Sequence, residues 1–323
     1  AAQWFETCFE ISQHNVANLE SYAPLLYKNK NYKKAKNVFQ HLYQVQFESY
    51  TSSEKAELLW KLGHIEYDLK EYEASQNILL KVLKLDPNHE KTLGLMIQLA
   101  IRFMDFEKAY TYRQKLISLI KNPETLKELL LEQAKLSQEQ LNDSYRAIDA
   151  LWELFQLNKN DIAAIQKLKT LYRDTGQSRK CAQMMEAEIR LEEDPHKKIK
   201  LQLEVAKIYG EWIDDLERSV KHLNDILDIN YENIDAFALL EKLLTAKKNW
   251  PLLEENYRRM IERIPKPNKI ARQIMWENLA KLYSNILNHP ENSILAYEVL
   301  AKLEPNKIDY YFALENLYKS TGK

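Results

Sequence analysis

The 323-residue chain has little glycine, proline or cysteine and no excess of charge of either sign. Only 5 residues are Gly and 9 are Pro, so the connections between regular elements must be short. The 46 Lys and Arg residues nearly cancel the 47 Asp and Glu residues, which argues against general attraction to nucleic acid or to an anionic membrane. The two cysteines, Cys8 and Cys181, predict neither a disulfide framework nor a metal site of paired cysteines.

Long apolar runs and strand-like alternation are absent as well. No segment approaches the roughly 18 uninterrupted apolar residues of a transmembrane helix, so no direct membrane insertion is predicted. The first residues lack the basic start and apolar stretch of a signal peptide. We therefore expect a soluble protein, and the sequence leaves its compartment open between the cytoplasm and, where a signal peptide has been removed, the periplasm. The abundant residues are helix formers such as Leu, Lys, Glu and Ala, which predict an all-α chain.

One segment, residues 56–89, shows how these helices are organised. Its first half carries Gly63 after a Leu, with Tyr67 four residues later. Its second half carries the small residue Ser75 and closes on Pro87, which stands between Asp and Asn. Two antiparallel helices approach closely only where side chains are small, and a proline after the second helix begins the next turn. The pattern therefore predicts a helix hairpin, with a first helix (helix A) and a second helix (helix B).

This hairpin resembles a tetratricopeptide repeat, whose consensus has an aromatic residue and Leu-Gly in helix A, small residues in helix B and a closing Asp-Pro-Asn. The resemblance implies an all-α fold in which antiparallel helix pairs stack into a right-handed superhelix, with helix A lining the concave side. One pair cannot bury its apolar faces alone, so each must stack on its neighbours. The other repeats depart from the consensus, mainly by losing the Gly of helix A.

The small residue of helix B recurs along the whole chain and defines the period. Its intervals alternate between a short spacing of about 34 residues and a longer one of about 38–40 residues. The repeating unit is therefore a doublet of about 72–74 residues, which contains two helix pairs. The helix B exits at Leu85, Leu157, Ile229 and Leu303 follow the same doublet. Leu253 is large where a small residue is expected. The recurring helix B positions are Ala35, Ser75, Ala109, Ala147, Cys181, Ser219, Leu253 and Ser293.

From this period we predict one continuous array over residues 1–323, with about eight repeats and a half repeat at each end. The extra residues of each doublet should lengthen helices or loops before alternate repeats. Natural arrays usually end in a polar capping helix, whereas the segment 309–318 is largely apolar, so we expect a piece of a longer protein. The predicted segments are an orphan helix at 1–15, repeats at 16–49, 56–89, 90–123, 127–161, 162–195, 199–233, 234–267 and 273–307, and a partial repeat at 308–323.

No motif predicts catalysis, a metal or a cofactor. GxGxxG, GxSxG and HExxH are all absent. The acidic runs at 192–194 and 214–215 fall at predicted helix ends, where capping is the expected role. We therefore predict that the chain is not an enzyme and has no catalytic, cofactor-binding or metal-binding residues.

Two specific binding functions of helical repeats are not expected either. Repeats that read single-stranded RNA need a basic groove and recurring polar residues at one helix A position, and this chain has neither. Tetratricopeptide arrays that grip the C-terminal carboxylate of chaperones use Lys and Asn at fixed helix A positions. Here those positions hold Trp60 and His64 in the repeat nearest the consensus, and Glu20 and Pro24 in the first repeat. We therefore expect neither nucleic acid nor a chaperone C-terminus as partner.

The remaining prediction is a protein–protein interaction scaffold that binds a partner peptide or helix on its concave helix A surface. Aromatic side chains are favoured interface anchors, which puts Trp60, His64 and Tyr67 first. Packing between helices is the favoured alternative role for Trp60 and Tyr67. For Trp212 and Phe312 the same two roles, partner binding and packing, both remain open. The candidate partner-binding residues are Trp60, His64, Tyr67, Gln98, Ile101, Arg102, Gln166 and Arg173.

Other roles for the array remain open. It could be chiefly architectural and space the components of a multiprotein assembly, since a long array offers several docking faces. It could also be the regulatory module of an enzyme encoded elsewhere in a longer chain.

Overall fold

The computed structural model of the chain describes residues 16–322. The chain packs as two compact units: unit 1, Ala1–Lys159, and unit 2, Asn160–Lys323. The described residues contain 17 α-helices and no strand, which confirms the all-α helical-repeat fold. The orphan helix predicted at 1–15 lies outside the described residues, and one continuous array across both units stays a prediction.

Unit 1 contains four consecutive helix pairs among its described residues. Within each pair, a turn of three or four residues returns the second helix along the first. A short 3-10 turn, Phe47–Ser49, follows the first pair. The pairs are α1 (Val16–Lys28) with α2 (Tyr32–Gln46), α3 (Ser52–Asp68) with α4 (Tyr72–Leu85), α5 (Glu90–Arg102) with α6 (Phe106–Leu119), and α7 (Pro123–Glu139) with α8 (Ser144–Leu157).

Unit 2 contains four further pairs and ends on an unpaired helix. Two of its first helices, α11 and α15, continue into π-helical turns at Ile208–Ile213 and Tyr283–Leu287. The helices are α9 (Ile162–Asp174) with α10 (Ser178–Leu191), α11 (Pro195–Lys207) with α12 (Leu216–Ile229), α13 (Ile234–Ala246) with α14 (Trp250–Arg263), α15 (Lys269–Leu282) with α16 (Pro290–Leu303), and α17 (Ile308–Thr321).

The recurring helix B residues lie where the two helices of each pair approach closely. All eight of them, from Ala35 to Ser293, are buried. Ser75 also uses its hydroxyl, which donates a hydrogen bond to the carbonyl oxygen of Gly63 at 2.7 Å. A Cβ atom on Gly63 would lie only 2.6 Å from a methyl carbon of the buried Leu79. The small residues are therefore required by the close packing of the helix pair.

The doublet period comes from alternation in the length of the first helix. The helices α5, α9 and α13 have 13 residues each, whereas α3 and α7 have 17. With their π turns, α11 and α15 extend over residues 195–213 and 269–287. Each long first helix begins four residues before the predicted repeat boundary, at residues 52, 123, 195 and 269 instead of 56, 127, 199 and 273. Four extra residues thus extend each long first helix at its N-terminus, and the π turns lengthen α11 and α15 further at their C-terminal ends.

Side-chain caps and prolines set those N-termini. Thr51 and Glu54 form a reciprocal capping box at the start of α3. Asp194 and Asp215 accept backbone N–H groups at the starts of α11 and α12, which confirms the capping role predicted for the acidic runs. Pro251 lies in the first turn of α14, where its missing N–H costs no hydrogen bond.

The turn inside each pair contains one residue with positive φ, a conformation that glycine adopts without strain. Only Gly176 among them is a glycine, which explains how a chain with so few glycines forms eight such turns. Asn and Asp tolerate this conformation, whereas Lys and Met adopt it at a cost. The eight residues are Lys30, Lys70, Met104, Asn142, Gly176, Asp214, Lys248 and Asn288.

Candidate functional site

The predicted residues Trp60 and His64 pack into an aromatic cluster with Tyr27 and Tyr32 in unit 1. The Trp60 ring centroid lies 6.3 Å from that of Tyr27 and 5.5 Å from that of His64. His64 in turn lies 5.6 Å from Tyr27 and 6.5 Å from Tyr32. All four side chains are half-buried. The aromatic cluster therefore joins α1 and the first residue of α2 to the first helix of the next pair, α3.

Charged groups of the same unit already contact the aromatic cluster. The Lys91 ammonium lies 4.7 Å from the centre of the Trp60 ring, and His64 Nδ1 lies 3.2 Å from a carboxylate oxygen of Asp68. Burial, with Tyr32, Asp68 and Glu57 nearby, raises the pKa of Tyr27 to about 12. These contacts favour packing over docking as the role of Trp60.

The other predicted residues of unit 1 lie farther along its first helices. Tyr67 is half-buried and packs edge to face on Tyr72, with ring centroids 5.5 Å apart. The Arg102 guanidinium covers the same Tyr72 ring at 4.3 Å. Gln98 and Ile101 are exposed on α5. The structure therefore joins Tyr67 to Arg102 through Tyr72.

In unit 2, the two predicted residues bind carboxylates of their own unit. Gln166 donates a hydrogen bond to Glu188 at 3.1 Å, and Lys169 forms an ion pair with the same buried carboxylate at 2.5 Å. Arg173 pairs with Glu204 at 2.6 Å. Both Gln166 and Arg173 thus stabilise the packing of neighbouring helices, whatever else they contact.

A surface that the sequence did not predict lies between α13 and α15, two consecutive first helices of unit 2. It is an apolar groove of about 630 Å³. Among the described residues, Glu232 and Glu241 are the only charged ones lining it, and no Lys or Arg does so. The groove is lined by Tyr231, Glu232, Asn233, Ile234, Phe237, Ala238, Glu241, Met260, Ile264, Asn268, Ala271, Ile274, Met275 and Asn278.

The rim of the apolar groove exposes large aliphatic side chains. Ile234 is 80% exposed and Ile274 is 47% exposed. Ile308, one doublet after Ile234 and at the first position of α17, is exposed as well. Phe312 on α17 and Trp212, which is 75% exposed, are also open to solvent, so neither large ring packs in the core. The first helices of unit 2 therefore present an apolar surface that packing among the described residues leaves uncovered.

Polar contacts fix the shape of the apolar groove. Asn233 and Asn268 cap the two helices that form its walls, accepting backbone N–H groups at 2.9 and 3.2 Å. The Glu241 carboxylate accepts a hydrogen bond from the Tyr257 hydroxyl. Burial and this contact with Glu241 raise the pKa of Tyr257. One sequence signal could have pointed to the groove, namely Ile234 at the start of a helix, where polar residues are usual.

Residues 16–322 contain no group of three or more His, Cys, Asp or Glu side chains placed to hold a metal ion. Within this range, none of the helices combines the length and the apolar content needed to cross a bilayer.

No known family model matches the chain, and no curated protein sequence matches it. Solved structures do match. A tetratricopeptide repeat protein from Parabacteroides merdae is 14% identical, with 94% of this chain and 98% of that one covered and a TM-score of 0.40. The TPR domain of P58(IPK) is 13% identical, with coverages of 95% and 89% and a TM-score of 0.30.

A third match is the structure of Naa15/Naa10 bound to HypK-THB, at 14% identity and a TM-score of 0.40. It covers 99% of this chain and 53% of that one. At these identities and TM-scores the matches concern the helical-repeat fold and carry no information about a partner. This chain is similar to tetratricopeptide repeat proteins in its paired helices and in the repeat of residues 56–89.

Proposed function

We propose that the protein is a non-catalytic interaction scaffold whose first helices bind a segment of another protein. The apolar groove of unit 2 is the main contact site. Its partner segment is a peptide or helix that places large apolar side chains in the groove and carries basic residues beside them.

The observation that carries this proposal is the exposure of Ile234 and Ile274 on the rim of a groove of about 630 Å³. Ligand sites commonly have volumes of about 300 to 1,000 Å³ and are lined mainly by apolar side chains. Contiguous exposed apolar patches mark interaction sites more often than single apolar residues do. A partner that covered the rim would remove this apolar area from water, which is favourable.

Charge complementarity supports the basic flank of the partner. Two carboxylates, Glu232 and Glu241, line the groove, and no cationic side chain of residues 16–322 does. Opposite charges across an interface raise the association rate and disfavour wrong partners. Among the sequence candidates, the exposed residues Gln98, Ile101 and Arg102 of unit 1 offer a second contact surface on first helices.

The experiment is a selection of random 12-residue peptides, displayed on phage, against the purified full chain. We expect wild-type protein to enrich peptides with two or more large apolar residues and at least one Lys or Arg. The double substitution Ile234→Asp and Ile274→Glu should lower the affinity for these peptides at least tenfold. Both changed side chains are on the rim, so the melting temperature followed by circular dichroism should stay near that of wild type.

A matched control is available in the same unit. Ile162 occupies the same helix position one doublet earlier, at the start of α9, and does not line the groove. Ile162→Asp should therefore leave peptide binding unchanged. If the groove variant and the control bind the selected peptides equally well, or if wild type enriches no peptide, the proposal is wrong.

A further inference from the structure

A second concavity lies in unit 1, on a different set of helices from the groove of the proposed function. It is a cleft of about 600 Å³ between the second helices α6 and α8, with α7 between them. Its aliphatic lining comes mainly from Ile117, Leu126 and Leu130. The cleft is large enough for one long side chain together with part of the backbone that carries it.

Two carboxylates stand together on the α8 side of this cleft. Asp149 and Glu153 are exposed and one helical turn apart, an arrangement of like charges that destabilises a helix. No Lys or Arg of the described chain lines the cleft. The nearby Arg146 is engaged by Glu107 at 2.7 Å and by Asp143 at 3.3 Å. The cleft therefore has a net negative charge that residues 16–322 do not neutralise.

A buried amide in the cleft lining lacks a hydrogen-bond donor. Gln133 is only 3% exposed and lines the cleft. Its Nε2 group donates to the backbone oxygen of Tyr110 at 3.4 Å, whereas its Oε1 atom has no hydrogen-bond partner among residues 16–322. An acceptor that becomes buried on folding loses its hydrogen bonds to water. If no protein donor replaces them the folded state is destabilised, so buried acceptors without a partner are rare in native proteins. Gln133 therefore adds an acceptor without a partner to the polar part of the cleft lining.

Two aromatic rings complete the cleft. Trp152 lies between the two carboxylates in sequence and is 41% exposed, and Tyr110 lines the cleft from α6. The Tyr110 ring is already covered by the guanidinium of Arg146 at 4.6 Å. The Trp152 ring has no cation over it among the described contacts, although an indole is the preferred ring for such contacts.

We propose that this cleft binds an arginine side chain of a partner protein. A guanidinium carries five N–H donors in one plane, so it can pair with Asp149 and Glu153 and still stack on Trp152. Its methylene stem packs on the aliphatic lining. Lysine has the charge but lacks the planar group that stacks and binds two acceptors together.

The test uses random 12-residue peptides displayed on phage and selected against the full chain. Wild-type protein should enrich a class of peptides with a fixed arginine, and Asp149→Asn with Glu153→Gln should lower their affinity at least tenfold. Replacing the arginine of a synthetic selected peptide by lysine should weaken binding severalfold, and neutral citrulline should weaken it more. As a charge-matched control, Glu73→Gln with Glu128→Gln changes two carboxylates of unit 1 outside the cleft and should change nothing.

The place where the arginine peptide binds is measured separately, by fluorine NMR on protein labelled with 5-fluorotryptophan. Trp152→Phe identifies the Trp152 resonance, which should shift saturably with the arginine peptide and not with the citrulline peptide. The proposal is overturned if the selected peptides share no fixed arginine, or if they bind the Asp149→Asn, Glu153→Gln variant as tightly as wild type. It is also overturned if the arginine peptide shifts only the resonances of other tryptophans. Because the groove variant Ile234→Asp with Ile274→Glu lies in the other unit, failure of one proposal is distinguishable from failure of the other.

Discussion

The first-helix surfaces of the two units differ in how they use large apolar side chains. In unit 1, Trp60 and His64 cover one another and the rings of neighbouring tyrosines, and Lys91 lies over the Trp60 ring. In unit 2, Ile234 and Ile274 stand exposed on the rim of an open groove. In unit 1, Trp60 and His64 thus pack between repeats, whereas in unit 2 the rings of Trp212 and Phe312 are exposed. Exposed aliphatic residues mark the open surface.

The largest expected effect separates the two tryptophans that represent this contrast. Trp60→Ala should lower the free energy of unfolding by about 2 kcal/mol, roughly half the loss for a fully buried aromatic residue, because Trp60 is half-buried. Trp212→Ala in unit 2 should change it by less than about 0.5 kcal/mol, as expected for an exposed side chain. Urea denaturation followed by circular dichroism measures both. Equal losses would remove the contrast between a packed and an open surface.

The interiors of the units, in contrast to their surfaces, should respond alike. A Cβ on Gly63 would lie 2.6 Å from Leu79, and one on Gly210 would lie 2.7 Å from Leu243. Gly63→Ala and Gly210→Ala should each destabilise by about 1 to 2 kcal/mol, because overpacking outweighs the gain in helix propensity. Gly94→Ala is the control, since none of the described neighbours lies within 4 Å of the added carbon.

The control makes a prediction of opposite sign. Gly94→Ala should stabilise the protein by up to about 1 kcal/mol, through helix propensity alone. Melting temperatures of the three variants are sufficient to compare them. If Gly63→Ala raises the melting temperature as Gly94→Ala does, the pair α3 and α4 is less closely packed than the structure shows.

Each unit contains a group whose shifted pKa makes the stability of the folded state depend on pH. In unit 2, burial tends to raise the pKa of Glu277, but hydrogen bonds from Lys307, Tyr310 and Gln273 outweigh it and lower the pKa to about 2. The stabilisation by ionised Glu277 is therefore present above its ordinary pKa of 4.5 and is lost as the pH falls toward 2. Glu277→Gln should flatten the dependence of stability on pH in that window, and urea midpoints at a series of pH values measure the change.

In unit 1, Tyr27 makes the stability of the folded state depend on pH in the alkaline range. Because burial raises the pKa of Tyr27 from 10 to about 12, its neutral form stabilises the folded state, and this contribution is lost as the pH rises from 10 to 12. Tyr27→Phe should reduce the loss of stability over that range, and thermal melts at pH 9, 10 and 11 would show it. An unchanged slope would mean that Tyr27 is solvated, contrary to its place in the aromatic cluster.

The smallest expected effect concerns the turns, where the units should again agree. Met104 in unit 1 and Lys248 in unit 2 have φ values of 58° and 54°. Replacing either by Gly relieves the strain of a side chain with positive φ and should stabilise by about 0.5 to 1 kcal/mol, less the entropy cost of glycine. Gly176→Ala, with φ of 70°, should destabilise by a similar amount. Melting temperatures again provide the measurement.

Most of the fold was predictable because close helix pairs favour small residues at regular intervals. Seven of the eight helix B positions hold a small residue, the eighth is Leu253, and all eight are buried. The repeat period did not predict that the long first helices are extended at their N-termini. The capping box at Thr51 and Pro123 at the start of α7 both indicate this extension. A period measured between helix B residues does not show which element takes up the extra residues.

The candidate surfaces were less predictable, because exposure depends on which neighbours cover a side chain. The repeat pattern alone suggests that Trp60 and Gln166 are exposed to solvent. In the structure each of them contacts a residue of its own unit. The apolar groove needs residues from α13, the end of α14 and α15 together. No single repeat contains all of these residues, so no sequence motif predicts the groove.

The central claim is that a partner segment binds the apolar groove of unit 2 and not the aromatic cluster of unit 1. The most direct measurement is photo-crosslinking of a groove-selected peptide that carries photo-leucine at its main apolar position, with the modified residues located by mass spectrometry. We expect crosslinks to α13 and α15, around Phe237 and Met275. Crosslinks concentrated on α1 and α3, around Tyr27 and Trp60, would contradict it.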